Sequence, residues 1–561
     1  MAGQLEQLLA KAQQPTTVAV IAALLIVAIT TRLLTGAPES GSKGAHTAAQ
    51  PGYYVPFLGH VPQMSLNGDS FLAGLREKYP QGIVSLLFMG KTHSIVYKPS
   101  LATLLMNKPH SVADESFVSK RLCVTNFGFK KSDLDLFQAF WDEVGKAYNI
   151  MLSGEGLANL VETTAKSLQS SIADFVTFNA YPSDQAEWER MAEADVVDHN
   201  GEQYVEAELM GLSKNFVAQT ANPALMGTDF CKNFPEHPKY VWDFDAGFVL
   251  MAMGLPSWLP WWPLQRAQAS KRRQLNCLYE YHEALGKWSK GEEPGHRWEN
   301  LDDISILQKE RVRIWEKHEV PTSVRAAADL GLVWAMNANS SPLVYWMLLH
   351  IYKDTVLLEQ IREEIAPYIK GVQPKNLFGT GISIPPKLET FDIEGLSTKC
   401  PLLKSSYVET LRLYVSAWSI KYVQQDTTLG RGDDTYVLNE GTYAHAPHDL
   451  HQLDPKYFPE PHEWQPRRHV KEVMGEDGKI TVTADMGSIR PYGGGAHMCK
   501  GRAFAMRELM MYTAAIVTMY DIRRPEGQEW SVPKTTKQAA SRHPTKEMKV
   551  WIKRRPQPDE E

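Results

Sequence analysis

The sequence predicts a mainly α fold with small β-sheets (α+β), preceded by one N-terminal transmembrane helix. Apolar residues recur at three- and four-residue intervals along much of the chain, which is the period of an amphipathic helix. Strand-like runs are short. An uncharged stretch at Ala12–Thr31 predicts the membrane helix. Because no repeat at solenoid periods is visible, we expect one large body rather than a string of modules.

The helical period is clearest in a few long segments: Leu157–Phe178, Ser270–Leu285, Val324–His350, Thr355–Ile369, Leu402–Tyr414 and Ala503–Met519. Short apolar runs predict the strands Ile83–Leu87, His93–Tyr97, Thr435–Leu438 and Lys549–Ile552.

The composition is that of an ordinary globular protein. The 561 residues are 43% hydrophobic and 22% charged, which excludes wholesale disorder. The net charge of −6 argues against a nucleic-acid partner held by bulk charge. The 5 cysteines are odd in number and no two lie at CxxC spacing, so neither a disulfide scaffold nor a cysteine-rich zinc module is expected.

The N-terminal apolar stretch is interpreted as a retained membrane anchor. Ala12–Thr31 lies between Lys11 and Arg32, and a helix of ~20 residues spans ~30 Å of hydrocarbon. A cleaved signal peptide is the alternative, but the stretch starts late and no basic cluster precedes it. We therefore expect an anchor at residues 1–35, a polar linker at 36–50, a catalytic body at 51–555 and a short tail at 556–561.

A glycine-rich segment around Cys499 is the first candidate for chemistry. The run Arg490–Arg502 reads RPYGGGAHMCKGR, and a helix pattern follows at once. The cysteine would then lie on a turn at a helix N-terminus, where free amides and the helix dipole stabilise an anionic sulfur. Such a thiolate can ligate a haem iron from one side and leave the other face open for O₂. A plain glycine-rich turn with a buried cysteine is the alternative.

Two further motifs precede this loop. Glu409 and Arg412 lie three residues apart in a predicted helix, so they share a face and can pair. The segment Pro461–Arg468 follows, reading PHEWQPRR. A Glu–Arg pair alone carries little weight, because such pairs are common on helix surfaces. The order and spacing of the three motifs make them informative.

Together the motifs resemble the signature of the cytochrome P450 family, which has a Glu-x-x-Arg helix, an aromatic-x-Pro-x-Arg segment and a cysteine loop. The matching residues are Glu409/Arg412, Trp464/Pro466/Arg468 and Tyr492/Gly495/His497/Cys499/Gly501. The resemblance extends over essentially the whole chain. It implies the triangular P450 fold around haem b (iron protoporphyrin IX), with Cys499 as the axial iron ligand. It also implies that Glu409, Arg412 and Arg468 form a structural triad for folding and haem retention.

The resemblance implies haem-binding residues that depart from the usual pattern. His497 stands where an arginine usually faces a propionate, and Lys421 stands where many members place another arginine. Lysine offers a point charge without the planar fork of arginine. The family's Trp-x-x-x-Arg helix is imperfect, with Trp141 present and Lys146 as the nearest cation; Trp141 as an ordinary core residue is the alternative. Tyr492 replaces the usual phenylalanine.

The expected catalytic residues are Asn339 and Ser340. By resemblance, the middle of Val324–His350 faces bound O₂, where most P450 hydroxylases carry an acid followed by threonine. Ser340 can keep the role of the alcohol, whereas asparagine cannot ionise. Pro342 removes a helical hydrogen bond and predicts a kink. A polar kink in a buried helix without catalytic function is the alternative.

An asparagine followed two residues later by a polar residue and then proline, as in Asn339–Pro342, resembles one branch of the family, which contains sterol 7-alpha/12-alpha-hydroxylases and prostacyclin synthase. That branch leaves two functions open. A monooxygenase is favoured, because its sterol hydroxylases share the acid-free pair. A reductase-independent isomerase or dehydratase of an oxygenated lipid is the alternative. A haem protein without turnover is a third class.

The expected partners follow from the resemblance. No Rossmann fingerprint or flavin module is visible, so we expect electrons from NADPH through a separate NADPH–cytochrome P450 reductase. The expected location is the endoplasmic reticulum membrane, single-pass, with a cytosolic catalytic domain. Flanking charge is too sparse to orient the anchor, so this orientation rests on the resemblance.

Substrate hints point to a large lipophilic molecule such as a sterol, terpenoid or polyketide. Residues on segments that line the pocket in P450 enzymes are Phe127, Trp334, Ala338, Val415 and Trp418. The stretch Met251–Pro263 contains three tryptophans and three prolines, which suits an element that dips into lipid headgroups. A loop packed within the core is the alternative.

Overall fold

The computed structural model describes residues 15–42, 45–375, 384–474, 478, 480–539 and 541–560. About 51% of the chain is helical and the sheets are small, which confirms the predicted fold class. Residues 1–14 of the predicted anchor, including Ala12–Gln14 of the apolar stretch, and Glu561 of the predicted tail lie outside the described residues.

The α-helices, numbered along the described chain, are α1 Pro15–Leu34, α2 Val61–Lys78, α3 Pro99–Met106, α4 Ser116–Leu122, α5 Lys131–Gln138, α6 Trp141–Ala147, α7 Gly154–Ser171, α8 Glu187–Arg190, α9 Leu209–Met226, α10 Thr228–Asn233, α11 His237–Ala246, α12 Phe248–Ala252, α13 Trp262–Trp288, α14 Ile306–Lys317, α15 Thr322–Asn337, α16 Ser340–Lys353, α17 Thr355–Ile365, α18 Ile393–Lys399, α19 Pro401–Tyr414, α20 His448–Gln452 and α21 Arg502–Met519.

The strands are β1 Ser40–Ser42, β2 Ala45–Thr47, β3 Ile83–Phe88, β4 Lys91–Val96, β5 Ala113–Asp114, β6 Asp195–His199, β7 Glu202–Glu208, β8 Ile369–Val372, β9 Lys387–Phe391, β10 Trp418–Val423, β11 Thr427–Leu429, β12 Tyr436–Leu438, β13 Tyr443–Pro447, β14 Val470–Met474, β15 Ile480–Ala484, β16 Tyr520–Arg523, β17 Thr535–Lys537, β18 Arg542–Pro544 and β19 Lys549–Arg554.

Capping chemistry explains several helix starts. Ser305 Oγ accepts from the Gln308 amide at 3.0 Å before α14, and the Asp354 carboxylate accepts from two amides at the start of α17. Helices α2, α3, α11, α13 and α19 carry proline at their first or second position, where its missing N–H costs nothing.

The chain divides into two compact units. The first contains the described residues up to Ser119, together with Ala417–Pro459 and Gly493–Met498. Its larger sheet has the order β3-β4-β13-β10-β5, with β4 and β13 parallel and the other neighbours antiparallel. Its smaller sheet has the order β1-β2-β12-β11.

The second unit contains Lys120–Ser416, Glu460–Tyr492 and the described residues from Cys499 onward. Helices α7, α9, α16 and α21 pack together at its centre, and every residue of α16 except the last is buried. A sheet with the order β16-β19-β7-β6 and the hairpins β8/β9, β14/β15 and β17/β18 complete this unit.

Helix α1 has the length and composition of a membrane span. Its mean hydropathy is 2.3 and none of its residues is buried, and no other described helix meets the same criterion. A signal sequence near an N-terminus would meet it as well, so the helix alone leaves both interpretations open.

The segment predicted as a linker, residues 36–50, contains a short β-hairpin. Strand β1 pairs antiparallel with β2, and His46 of β2 aligns with Tyr436 of β12. Ala48 and Ala49 are buried. The small, polar residues show no apolar period because backbone pairing, rather than side-chain burial, holds most of this segment in its sheet.

The predicted helix Val324–His350 is two helices. Helix α15 ends at Asn337 and α16 begins at Ser340, so the interruption precedes Pro342 by a few residues. Proline lacks an N–H, and the carbonyl of Ala338, four residues earlier, therefore needs another donor. Ser541 Oγ supplies it at 3.0 Å.

The predicted tail is partly bound to the second unit. The Gln373 amide donates to the Pro558 carbonyl at 2.8 Å, and Gln557 Nε2 donates to the Thr518 carbonyl at 2.9 Å. Backbone hydrogen bonds of this kind carry no sequence signature, since any residue can make them.

Candidate active site

Cys499 lies at the end of its loop, just before α21. Its backbone N–H donates to the Tyr492 carbonyl at 3.0 Å, and its side chain is exposed. The amides of Gly501 and Arg502 donate to the sulfur. The structure therefore places the cysteine at a helix N-terminus, as the glycine-rich pattern predicts.

Opposing effects act on the Cys499 thiol. Although the side chain has an exposed face, the protein atoms packed around the rest of the sulfur partly desolvate it and raise the pKa of Cys499, whereas the amide of Gly501 and the positive charge of Arg502 lower it. Donors aimed at a sulfur stabilise its anion, which is the form that ligates a metal.

Close approaches to Met106 within the first unit favour glycine at two positions of the loop, and at Gly495 the approach is to backbone. A Cβ on Gly494 would lie 2.5 Å from Met106 Sδ, and one on Gly495 would lie 2.5 Å from the Met106 carbonyl oxygen. Gly495 also has a φ of 66°, which favours glycine. Packing thus fixes the loop conformation that the motif implies.

Tyr492 has a structural reason to differ from phenylalanine. Its hydroxyl lies 2.5 Å from the hydroxyl of Tyr407, a buried residue of α19. A buried hydroxyl needs a partner, and here each tyrosine supplies one to the other.

Glu409 is the centre of an ion-pair cluster whose core, Glu409 and Arg412, is fully buried. Its carboxylate accepts from Arg412 Nε and Nη2, both at 2.8 Å, and neither side chain has any exposed area. Arg468 Nε lies 3.1 Å from Glu409 Oε1. The structure thus brings together the three residues predicted as the triad.

The cluster has a member that the sequence motif does not indicate. His469 Nε2 lies 2.9 Å from Glu409 Oε2, and the Gln465 amide donates to Oε1 at 2.9 Å. Burial alone would raise the pKa of Glu409, but the hydrogen bonds from Arg412 and His469 lower it to about 2. The carboxylate is therefore ionised at neutral pH.

Arg412 also fixes the segment that follows it in space. It donates to the carbonyls of Pro461 at 2.6 Å and Glu463 at 3.1 Å. Trp464 Nε1 donates to Thr410 Oγ1 at 3.1 Å. Helix α19 and residues 460–469 are thereby joined by charged and polar contacts as well as by packing.

Ser340 is the first residue of α16 and is buried. Its hydroxyl donates to the Met336 carbonyl at 2.9 Å, and it lies close enough to the Glu508 carboxyl group to lower the pKa of that group. Asn339 precedes it at the interruption, half-buried, and its side chain makes no hydrogen bond within the described part of the chain. The two predicted catalytic residues thus have different surroundings.

Glu508 is a site residue that the sequence analysis missed. It lies on α21, nine positions after Cys499, with 2% of its surface exposed. Burial raises the pKa of Glu508 to about 7, and the bond from Ser340 opposes the rise. A single acid within the apolar stretch of α21 was the available signal, because an acid is rarely buried without a purpose.

Ser541 links two of the predicted substrate-binding residues. Its hydroxyl donates to the Ala338 carbonyl at 3.0 Å, and its backbone forms a β-bridge with Val415. Two more predicted residues meet in an aromatic cluster, where the rings of Phe127 and Trp334 lie 5.8 Å apart. The fifth, Trp418, belongs to the first unit, where its ring lies edge-on to His445.

Lys421 and His497, predicted to bind the haem, meet at Glu115 in the first unit. Lys421 Nζ lies 3.2 Å from Glu115 Oε1, and His497 Nε2 lies 3.1 Å from Oε2. Lys421 is buried and also donates to the Lys108 carbonyl at 2.9 Å. Two of its three N–H donors are therefore used within the protein.

Trp141 and Lys146 do not share a helix face. Both lie on α6 and are exposed, and five residues turn a helix by about 140° beyond a full turn. Trp141 packs edge-on against Phe137 with ring centroids 4.9 Å apart. Only one of the pair can face a given ligand.

The donor set of the second unit fits a haem. Cys499 presents one exposed sulfur with amide donors behind it, which suits a soft thiolate ligand for iron. Most of α15 is buried, but Ala335 is exposed and Met336 is half-buried. These two apolar side chains form an accessible strip near the end of the helix. We infer that Cys499 would ligate the iron, with Asn339 and Ser340 available at the end of the same strip.

The comparison with protein families matches residues 318–550 to the family described as cytochrome P450. This range includes both predicted catalytic residues, the ion-pair cluster and the cysteine loop.

Curated proteins show the same relationship over most of the chain. A cytochrome P450 monooxygenase, efuG, of Hormonema carpetanum is 26% identical over 520 residues, which is 83% of each chain. Cytochrome P450 7B1 of Mus musculus is 24% identical and covers 84% of this chain and 85% of its own. The 25-hydroxycholesterol 7-alpha-hydroxylase of Rattus norvegicus is 24% identical over 74% of this chain and 90% of its own.

The Cys499 assignment is tested by spectroscopy. We expect Cys499→Ala to abolish the strongly red-shifted absorption band of the reduced CO complex, because that band requires a thiolate opposite the CO. Cys277→Ser, a half-buried cysteine of α13, serves as the control and should keep the band. A Cys499→Ala protein that retains the band would show that the assignment is wrong.

The ion-pair cluster is tested by stability. Arg412→Ala would leave the Glu409 carboxylate buried without its main partner, at a cost of roughly 3–5 kcal/mol. We expect protein that misfolds or fails to retain haem, measured by chemical denaturation and haem content. Arg467→Ala, a change at an exposed neighbour, should behave like the wild type. A stable, haem-loaded Arg412→Ala enzyme that is merely slower would argue against a structural role.

Proposed function

We propose that this chain, a cytochrome P450 monooxygenase that resembles the sterol hydroxylase branch, inserts one oxygen atom from O₂ into a lipophilic substrate. NADPH supplies the electrons through a separate reductase. The observation that carries the proposal is the contact between Ser340 and Glu508, because it provides a proton source that Asn339 cannot.

Ser340 can hold a proton in either of two arrangements. A hydroxyl carries one hydrogen, so Oγ cannot donate to Met336 and Glu508 at once. When Oγ donates to the Met336 carbonyl, it can accept from protonated Glu508. Since the pKa of Glu508 is about 7, this carboxyl group gains and loses a proton near neutral pH. When Ser340 gives its own hydrogen to an acceptor in the active site, it takes one from protonated Glu508, which is left as the carboxylate.

Haem, when bound, would supply the activation of O₂, and residues of the chain would hold the haem in position. Cys499 provides the sulfur ligand, and the Glu409 cluster holds the segment that leads to it. Asn339 is half-buried and free of described partners, so its amide can orient a water or a substrate hydroxyl. The resemblance assigns Lys421 and His497 to the haem propionates; within the first unit both face Glu115, and burial, which lowers the pKa of His497, leaves its imidazole as a neutral donor.

The substrate class is proposed to be a sterol, a terpenoid or another secondary metabolite. Phe127 and Trp334 are half-buried and pack on the buried Phe244 and Phe248, with Phe248 and Trp334 stacked at 4.2 Å, so these two rings supply apolar contacts for a substrate. The named substrate of the rat relative, 25-hydroxycholesterol, supports a sterol-like size.

The second candidate function is a reductase-independent isomerase or dehydratase. It is favoured by Asn339, which replaces the family's usual acid. Such an enzyme needs no delivered protons, so it would leave the Ser340–Glu508 pair without a use. The two functions differ in their need for NADPH.

Membrane attachment is proposed through helix α1 and a tryptophan-rich loop. Trp258 and Trp262 are 77% and 74% exposed and Trp261 is 47% exposed, so this loop is not packed within a core. Exposed tryptophans next to prolines suit the headgroup region. We place the chain in the endoplasmic reticulum membrane, single-pass, with its catalytic domain cytosolic.

The proton pathway is tested by measuring how much product and how much peroxide form for each NADPH consumed. We expect Ser340→Ala and Glu508→Gln to slow product formation roughly 10²-fold, by analogy with other preorganised donors, and to divert electrons from NADPH to hydrogen peroxide. Asn339→Asp should be tolerated or should change the coupling. Haem content and the spectrum should stay normal. Product and peroxide are measured per NADPH with reductase present.

Ser341→Ala is the matched control, because it removes the neighbouring hydroxyl and leaves the Glu508 contact intact. Its yield of product per NADPH should equal that of the wild type. The isomerase alternative predicts the opposite pattern, with turnover in the absence of NADPH that is insensitive to Ser340→Ala and damaged by Asn339→Ala. That pattern would overturn the proposed function.

Membrane attachment is tested by fractionation. A variant lacking residues 1–35 should lose most membrane attachment but adhere weakly to vesicles through the loop. Replacing Trp258, Trp261 and Trp262 by serine in that variant should abolish the residual binding. Tyr181→Ser, a change at another exposed aromatic residue, is the control. An intact chain that fractionates as a fully soluble protein would contradict the anchor.

A further inference from the structure

An open cleft of the first unit lies beside the end of helix α1. Its volume is about 420 Å³, and pockets that bind small molecules usually measure ~300–1,000 Å³. Residues 35–39 and 49–52, together with Tyr79 and Gln81, line the cleft, and all of them belong to the first unit. The cleft therefore begins at the residue directly after α1.

Hydrogen bonds hold the wall of the cleft that follows α1. Thr35 Oγ1 accepts from the Tyr53 amide at 3.0 Å. The Ala37 amide donates to the Gln50 carbonyl and the Gln50 amide donates to the Ala37 carbonyl, both at 2.8 Å. The end of α1 is therefore attached to the first unit at a defined position, and the cleft is part of the folded unit.

Arg32, in the last turn of α1, is a half-buried cation without an acidic partner. Its guanidinium lies over the Tyr54 ring, 5.4 Å from the centroid. It also lies against Gly52, where a Cβ would clash with Nη1. Arg32 makes no hydrogen bond and no ion pair within the described part of the chain. All five of its N–H donors are therefore available to a ligand.

Three neutral side chains in the lining have hydrogen-bonding groups to spare. Gln50, Tyr79 and Gln81 make no side-chain hydrogen bond among the described residues. Lys78 is exposed beside the cleft, with Nζ 5.6 Å from the centre of the Tyr79 ring. A ligand in the cleft thus meets free N–H and O–H donors near two cations.

Glu39 is the acid of the lining, and partners within the first unit face it. Its Oε1 lies 3.6 Å from His46 Nδ1 and accepts from the Tyr436 hydroxyl at 3.4 Å. Arg32 and Lys78 have no acidic partner in the described part of the chain. The cations therefore outnumber the acid at the cleft, which favours an anionic group in the ligand.

The depth of the cleft in a membrane identifies this anion. The 20 residues of α1 rise ~30 Å, which matches the hydrocarbon thickness of a bilayer, and the headgroup layer adds roughly 5–7 Å on each side. Because the cleft begins directly after α1, it lies in the headgroup layer when α1 spans the membrane. The anionic group of that layer is the phosphodiester, which arginine binds through two N–H groups at once.

We propose that the cleft binds the headgroup of one membrane phospholipid, with its phosphodiester hydrogen-bonded to Arg32. The inference rests on the proposed function only in taking α1 to span a membrane. It adds a specific lipid contact that holds the first unit at the headgroup layer. General attraction of a cation to a membrane surface differs, because it requires net negative lipids and weakens with salt.

The test counts the lipids that stay on the full chain after extraction from vesicles. The haem-loaded protein is inserted into vesicles of equal parts phosphatidylcholine and digalactosyldiacylglycerol, two net-neutral lipids of which only the first has a phosphodiester. Protein is extracted with mild detergent in high salt, and bound lipids are counted by native mass spectrometry. We expect one phosphatidylcholine per chain, retained at least about tenfold more often than the galactolipid, because the galactolipid lacks the charged hydrogen bonds.

Two variants decide whether the cleft is responsible. Arg32→Gln removes the charge, and Gln81→Glu places a negative charge in the cleft at nearly unchanged size. We expect each variant to lower the retention of phosphatidylcholine to that of the galactolipid, with haem content and membrane insertion unchanged. Arg431→Gln, a change at another exposed arginine of the first unit, is the control and should keep the lipid.

Several outcomes would overturn the proposal. Equal retention of the two lipids by the wild type would show binding through acyl chains alone. Phosphatidylcholine retained normally by both variants would place the lipid elsewhere. Retention seen only with phosphatidylglycerol, and only in low salt, would be general attraction, and displacement of the lipid by inorganic phosphate would indicate a site for free phosphate.

Failure of the proposed function gives a different result. A chain that does not insert into vesicles refutes the anchor, whereas an inserted chain that retains no phospholipid refutes the cleft alone. Absence of NADPH-dependent turnover with normal lipid retention would refute the monooxygenase and leave the lipid site intact.

Discussion

The buried carboxylate of Glu409 is the constraint on which much of the second unit depends. It has no exposed area and accepts hydrogen bonds from Arg412, Arg468, His469 and the Gln465 amide. A buried charge is tolerated only when such partners surround it, so the segment that supplies them must stay in place. That segment leads through β14 and β15 to Tyr492 and Cys499. The position of the cysteine is thus tied to a cluster that takes no part in the chemistry.

A second constraint comes from the interruption between α15 and α16. Pro342 cannot donate to Ala338, and Ser541 takes over this role from a distant hairpin. The interruption leaves Asn339 half-buried and places Ser340 against Glu508. One missing N–H therefore explains why the hairpin β17/β18 contacts the chain at Ala338, directly before the proposed catalytic residues.

The sequence predicted those features of the fold and the site that local residue patterns and ordered motifs encode. Helix periodicity located α7, α17, α19 and α21, and the family resemblance paired Glu409 with Arg412 and Arg468. For Glu508 the sequence offered only a weak signal, the single acid in the apolar stretch of α21. It could not indicate Ser541, which becomes informative only through its bond to Ala338, far away in the chain. The hairpin in residues 36–50 was missed for a similar reason. Its strand β2 pairs with β12, almost four hundred residues later, through backbone groups that every residue has.

The account makes one chemical claim above all others, that an atom of O₂ enters the product. The most direct measurement is mass spectrometry of the product formed by the membrane-bound enzyme with reductase and NADPH under ¹⁸O₂. The account predicts one ¹⁸O atom in each product molecule, with one NADPH consumed per coupled turnover, and no label when ¹⁸O is supplied as water instead. Unlabelled product that forms equally well without NADPH would contradict it.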